Sequence, residues 1–397
     1  MKLNRTGQLR IHLRGDELAK LLAVITLLVL VVSVAAQAQT EDVLYSFAGA
    51  PDGATPNSGL IRDARGNLYG TSFGGGNLGY GTVFKLSADG QETVLHSFGA
   101  QGDGVFPGSG LTRVGTTFYG TTVQGGANYF GSVFSVTKTG NEAMVASLSF
   151  EEGGGYPEGA LLRDKQGNLY GTNSGYNGGY GNGAIFEISP SGTVTVPYRF
   201  TGGADGLCPY GNLVKDAKGN LYGTTYRGGT AGRGNVYKLS PDGTLTVLYS
   251  FTGGADGDLP AAGLVRDSKG NLYGTTVEGG GQGYGAVFMV TAKGKESVLH
   301  SFSGSDGFYP IGGLVRDTSG NIYGTTELGG SYGQGNVFKI SPGGVFTKLY
   351  DFHGSNDGGW PTGNLILDKQ GNLYGTTSYG GSSNCLDGCG VVFRIKP

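Results

Sequence analysis

The sequence predicts an all-β fold, a seven-bladed β-propeller of four-stranded blades whose ring is closed by the N-terminal strand completing the last blade. Three observations carry that expectation. The motif Gly270-Asn271-Leu272-Tyr273-Gly274-Thr275-Thr276 recurs seven times, with its tyrosine at Tyr69, Tyr119, Tyr170, Tyr222, Tyr273, Tyr323 and Tyr374, at steps of 50, 51, 52, 51, 50 and 51 residues. Each repeat holds four short β-branched and aromatic runs bounded by Gly, Asp and Asn, with no stretch of helical period. The chain is also permuted, since it stops after a third run and begins with a fourth.

Units of this size cannot bury a core alone and must stack on copies of themselves, so residues 39–397 read as one domain. The 81 glycines follow no Gly-X-Y period, which excludes collagen. Aromatics at 11% exclude a disordered chain. Charged residues are only 15%, so much of the surface must be Thr, Ser, Asn, Gly and Tyr.

Residues 1–38 read as a secretory signal peptide. Lys2, Arg5, Arg10, Arg14 and Lys20 surround the start of an apolar run from Leu21 to Ala36, and Ala36-Gln37-Ala38 offers a cleavage site. The run has 16 residues, short of the roughly 20 that span a bilayer, with an uncleaved anchor as the alternative. The expected location is therefore secreted, extracellular or periplasmic. Without the leader 23 basic and 28 acidic residues remain, a net charge of about −5. Nucleic acid is a poor partner for such a chain. A monomer is expected, with no membrane contact beyond the leader.

The unit starting at Gly263 shows the order of the runs. Gly263–Arg266 is the first run, Asp267–Gly270 a turn, and Asn271–Thr276 the second. A loop containing Gly279, Gly280, Gly281 and Gly283 leads into the third run, Ala286–Val290, and a turn at Lys293-Gly294 into the fourth, Ser297–Phe302. The last repeat ends on its third run, Val391–Ile395, and Val43–Phe47 supplies the missing fourth. The residue closing that run is expected at Phe47, Phe98, Phe150, Phe200, Phe251, Phe302 and Phe352. Ring closure removes the open edge that a linear array would present. The two long connections, the crossover Gly253–Pro260 and the glycine-rich loop, open on one face, which is the expected binding surface.

The combination Tyr323-Gly324-Thr325-Thr326, Gly329-Gly330 and Gly335-Asn336-Val337-Phe338-Lys339 resembles the bacterial extracellular tandem-repeat family known as GloVer-type repeats, over residues from about 41 to 397. The resemblance implies secretion and a propeller, and it transfers no catalytic residue. Kelch repeats are a looser likeness, because they add a tryptophan per unit and this chain has only Trp360.

Catalytic signatures are missing from the sequence: it has no Gly-x-Ser-x-Gly elbow, no His-Glu-x-x-His and no Asp-x-Asp-x-Asp-Gly loop. His96 and His300 stand where other repeats carry Tyr45, Tyr249 and Tyr350, which marks a shared structural slot. The crossover aspartates Asp52, Asp103, Asp205, Asp256, Asp306 and Asp357 each precede a proline by four residues. One reading is a ring of carboxylates at the channel mouth, with Asp103, Asp205, Asp256 and Asp306 holding Ca²⁺. The other is an Asx-type turn, which recurrence favours. No cofactor other than that Ca²⁺ is indicated. The second recurring acids, Asp63, Asp164, Asp216, Asp267, Asp317 and Asp368, read as turn devices, and the repeated tyrosines as core with a bonded hydroxyl.

Blade seven departs most from the repeat. Its loop between second and third runs, Ser378 to Gly390, has thirteen residues against nine or ten elsewhere. Cys385 and Cys389 in that loop are expected to form a disulfide, which leaves Cys208 over. Trp360, Tyr379, Asp387, His353 and Asp357 are the candidate binding residues of this blade, although its reinforcement could equally serve the seam. The expected function is a secreted, non-catalytic propeller binding a polysaccharide or protein through its long-loop face. One rival is a carbohydrate- or ester-active hydrolase or lyase, which needs paired acids outside the repeat pattern. Glu158, Glu278 and Glu327 are its candidates, with Glu278 and Glu327 read as equivalent positions. The other rival is a structural cell-surface or adhesion component.

Overall fold

A computed structural model of the chain describes residues 2–3, 9–10, 40–150, 155–175 and 181–396. They fall into two units, residues 1–40 with residue 397 and residues 41–396. In the first, Lys2–Leu3 pairs antiparallel with Leu9–Arg10, and the expected signal peptide otherwise lies outside the described residues. Among the described residues no helix is long and apolar enough to cross a membrane.

The second unit is a ring of seven four-stranded antiparallel blades. Blade one contains, from first to fourth strand, Ile61–Arg62, Leu68–Ser72, Thr82–Leu86 and Glu92–Ser97. Blades two to six repeat this order. Blade seven is assembled from Ile366–Leu367, Leu373–Thr377, Val391–Ile395 and the N-terminal Glu41–Ser46, as the permuted sequence requires.

The repeated motif is explained residue by residue at the contacts between blades. Its second strands are buried on both faces because neighbouring blades sandwich them. The tyrosine hydroxyl donates to the turn aspartate at 3.0–3.2 Å in six blades, the exception being blade two, where Val114-Gly115 replaces the aspartate turn. That aspartate also caps its own turn. Burial works to raise Asp63, but the Asn67 side chain and amide, the Arg65 amide and Lys138 outweigh it and hold the carboxyl at about 2.

The motif glycine has no room for a side chain. A Cβ on Gly274 would stand 2.6 Å from Cζ of Phe288 and 2.9 Å from Cδ2 of Leu264, so the third-strand ring packs directly on the backbone. In all blades but five and six the first threonine hydroxyl reaches into the next blade. Thr71 Oγ1 donates to Ser109 O (3.0 Å), Thr224 to Ala262 O (3.0 Å), and Thr376 to Ser58 O (3.0 Å), the last across the ring closure. The motif is thus the adhesive between blades.

One register differs from the sequence reading. In blade two the fourth strand is closed by Leu148, fully buried with its N–H on Gly131 O at 2.9 Å, while Phe150 is 51% exposed. The segment Ser147-Leu148-Ser149-Phe150 offers two apolar residues in the same phase, and the shorter spacing wins.

Candidate functional site

The crossovers build the site, starting from an unusual backbone. Thr55, Phe106, Tyr156, Cys208, Leu259, Tyr309 and Trp360 all have φ between 54° and 68°, and each immediately precedes the crossover proline. Left-handed backbone is costly for such side chains, and a following proline further restricts it. The compensation is a clamp. The N–H of Trp360 donates to Gln334 O of blade six (2.9 Å), and its carbonyl accepts from Ser378 N of blade seven (3.1 Å). Phe106, Cys208, Leu259 and Tyr309 repeat both bonds, and Thr55 repeats them across the ring closure.

Because the clamp fixes the proline, the next residue is aimed at the axis. These residues are Asn57, Gly108, Glu158, Tyr210, Ala261, Ile311 and Thr362, and all seven line one axial cavity of about 650 Å³. Residues following second strands, among them Tyr226, Val277 and Ser378, complete its wall. Both sets belong to the long connections, so the cavity opens on the long-loop face.

The wall is asymmetric. Blades three and four supply Glu158, Tyr210, Tyr226 and Arg227, while blades five and six supply Ala261, Ala262, Val277 and Ile311. Tyr210 meets Tyr226 edge-on, with centroids 5.3 Å apart and planes at 80°, and the Arg227 guanidinium lies 5.7 Å from the Tyr226 centroid. Burial, and then the Glu158 charge, push the Tyr210 hydroxyl up, so it is a neutral donor at any physiological pH. The Glu158 carboxyl is open to the cavity yet ringed by protein, and burial pushes it up to about 7. Glu158 is the one carboxylate among the described residues lining the cavity.

The blade-seven candidates do not form one site. Trp360 stacks on Tyr379 with centroids 4.9 Å apart at 24°, and Trp360 is 38% exposed. His353 Nδ1 bonds Asp357 at 2.8 Å, with the His353 ring over Tyr332 at 4.0 Å, and the described contacts do not join this pair to Trp360. Asp387 is exposed, and its backbone carbonyl accepts from Gly380 N. Cys385 and Cys389 are disulfide-bonded, and Cys208 is buried outside that bond.

Among the described residues the crossover aspartates do not form the ring at the channel mouth that is one of the two sequence expectations. Each crossover aspartate lies beside the outermost strand of its own blade and bonds the Tyr or His there. Asp205 accepts from Tyr198 Oη (3.0 Å), Asp256 from Tyr249 Oη (2.9 Å), and Asp103 and Asp306 pair with His96 and His300 Nε2 at 3.0 Å. Carboxylates used this way point away from the axis and do not converge. Of the four, Asp103 alone has both an imidazole and a second carboxylate within ligand reach, from His96 and Glu142.

Glu278 and Glu327 are likewise not equivalent. Glu327 N bonds Tyr309 O just as Val277 N bonds Leu259 O, so Glu327 corresponds to Val277, while Glu278 sits one residue further on, bridged to Asp258. Successive strand residues face opposite ways. The axial residues Tyr210, Tyr226 and Arg227 were missed by motif reading. Aligning the seven residues that follow the crossover proline is the signal that finds the first of them.

Fold and cavity together define the class: a closed seven-bladed propeller with one axial cavity whose lining differs from blade to blade. The Gloeobacter/Verrucomicrobia repeat matches residues 29–229, 143–283 and 209–397, and the chain belongs to that family. No curated protein matches it. Among solved structures, the chain is similar to one from B. thetaiotaomicron described as the extracellular domain of a one-component system, with 11% identity and a TM-score of 0.58. That match covers 90% of this chain and 40% of the other, so the chain spans well under half of that structure. It is also similar to a Bacteroides uniformis protein described as a 6-phosphogluconolactonase, with 15% identity, a TM-score of 0.51, and coverage of 85% and 89%. At such identities the likeness is one of fold.

Proposed function

We propose that the protein is a secreted, non-catalytic binding propeller that takes the end or a short stretch of a carbohydrate chain into its axial cavity. The observation that carries this reading is the ring of residues after the crossover prolines, where the copies disagree most at the place all seven blades meet. A cavity of about 650 Å³ falls within the range of ordinary ligand sites and holds one or two sugar rings. Tyr210 and Tyr226 offer aromatic surface and hydroxyl donors. Asn57, Asn212 and Asn364 offer amides for sugar hydroxyls, and the wall from Ala261 to Ile311 accepts the apolar face of a ring. Secretion is supported by the basic-apolar leader and by the disulfide, which persists in oxidising compartments.

The rival hydrolase reading rests on Glu158, whose carboxyl near 7 suits a general acid or base. Two-carboxylate hydrolysis would need a partner beside it, and Glu158 is alone among the described lining residues. A glycan array probed with the purified protein separates the readings. Binding to a defined glycan without product release is expected. Failure to bind any glycan would overturn the carbohydrate reading, and turnover of a bound glycan would overturn the non-catalytic one.

A further inference from the structure

The outer rim of the ring repeats one arrangement, with a telling exception. In each blade except blade two, a Tyr or His near the end of the fourth strand bonds its crossover aspartate among the described contacts, and the first fourth-strand residue of the next blade packs against that pair. At most of these seams a metal set is incomplete. Tyr45–Asp52 faces Glu92 and Tyr249–Asp256 faces Glu296, both with a phenol in place of an imidazole, while Tyr350–Asp357 faces Glu41 and Asp357 is bonded there by His353 Nδ1 as well, without the three ligand atoms converging. Tyr198–Asp205 is followed by Leu245. His300–Asp306 is covered by Phe346, which stacks on the imidazole at 3.9 Å and 10°.

Among the described residues, only the seam between blades one and two brings ligand atoms of an imidazole and two carboxylates within reach of one another. A ligand atom of His96, of Asp103 and of Glu142 all lie within 4.8 Å of one another. The Asp103 carboxylate is set in advance by Gly99 N (3.3 Å) and Gly104 N (2.7 Å). His96 Nε2 stands 3.0 Å from Asp103 Oδ2, a few tenths of an ångström inside the roughly 3.4 Å that separates two ligands of a tetrahedral ion, so a small opening of this hydrogen-bonded pair admits Zn²⁺. Two carboxylates in one half-buried place repel each other, and a divalent ion removes that repulsion. Imidazole with carboxylates suits a borderline first-row ion better than the all-oxygen cages of Ca²⁺.

We propose that His96, Asp103 and Glu142 bind one first-row divalent ion, Zn²⁺ before Mn²⁺, with water in the remaining positions, so that the ion clips blade one to blade two. His96 ligates through Nε2 as a neutral imidazole with its hydrogen on Nδ1, and any second proton on the ring leaves to solvent when the ion binds. The site is distinct from the axial cavity and independent of what that cavity binds.

The test is titration of the chelator-treated protein with Zn²⁺, Mn²⁺ and Ca²⁺ by calorimetry, with Co²⁺ absorption as a spectroscopic readout. His96→Tyr places at this seam the residue found at Tyr45, Tyr198, Tyr249 and Tyr350, which keeps the bond to the aspartate. An unchanged melt in chelator confirms that this variant folds. The expected result is one equivalent of Zn²⁺ and visible Co²⁺ bands that Zn²⁺ abolishes, with at least tenfold weaker binding in His96→Tyr and in Glu142→Gln and no change in His300→Tyr. Lack of stoichiometric Zn²⁺ binding by the folded protein, tighter binding of Ca²⁺ than of Zn²⁺, or Zn²⁺ binding that survives His96→Tyr combined with Glu142→Gln would overturn the proposal.

Discussion

Blade seven and the pair formed by blades three and four both break the repeat, and they break it in opposite directions. The irregularities of blade seven are directed at ring closure. Its thirteen-residue loop carries the Cys385–Cys389 disulfide, and a Cβ on Gly49, just after the N-terminal strand, would stand 3.2 Å from Cys385 Sγ. Cys389 O accepts the Thr55 N–H at 2.9 Å, and Cys389 shares a core cluster with Phe47 and Phe84. Blades three and four depart where side chains face the axial cavity, at Glu158, Tyr210, Tyr226 and Arg227. The difference teaches that irregularity in a repeat protein has two sources, and that only the place where a residue points tells them apart.

The comparison can be broken most severely at the closing strand. Phe47 is fully buried in the seam, and Phe47→Ala should cost about 3–5 kcal/mol by denaturant unfolding. Tyr210→Ala and Tyr226→Ala, at half-buried cavity positions, should cost about 1 kcal/mol. Equal losses would mean that the seam is no special region. A smaller effect is expected from Cys385→Ser with Cys389→Ser. Closing so short a loop contributes about 2 kcal/mol, so the pair should lower the melting temperature by a few degrees while leaving ligand affinity unchanged. A loss of affinity instead would return blade seven to the binding surface.

The smallest effect is a pH dependence at the rim. Burial, followed by the facing Asp357, Asp52 and Asp256 respectively, pushes Glu41, Glu92 and Glu296 up to about 7. Between the ordinary carboxylate range and 7 the folded chain holds protons that the unfolded chain has released, so stability falls as pH rises through that window. The melting temperature should be lower at pH 8 than at pH 5, and Glu92→Gln with Glu296→Gln should flatten the slope. A melting temperature that rises over this interval, with the same slope in the variant, would contradict the account.

The architecture was legible in the sequence because each residue of Tyr-Gly-Thr makes a contact that most blades share: the phenol to the turn aspartate in all but blade two, the bare glycine under the third-strand ring, and the threonine hydroxyl to the next blade in all but blades five and six. Identical needs leave identical residues. The cavity was not legible for the converse reason. Asn57, Gly108, Glu158, Tyr210, Ala261, Ile311 and Thr362 share a location and no chemistry, and the left-handed backbone before each proline, which aims them, leaves no residue signature among Thr, Phe, Tyr, Cys, Leu and Trp. Trp360 and His353 drew attention as rare residues. Rarity did not bring them together, and the crossover geometry assigned the axis to other side chains.

The most direct test of the account is calorimetric titration of a glycan selected on the array into Tyr226→Ala, Glu158→Gln and Trp360→Ala. The account predicts at least tenfold weaker binding in the first two, the scale of about 1.4 kcal/mol, and affinity within twofold of the parent in Trp360→Ala. Strong loss in Trp360→Ala with full binding in Tyr226→Ala and Glu158→Gln would place the ligand on blade seven and contradict it.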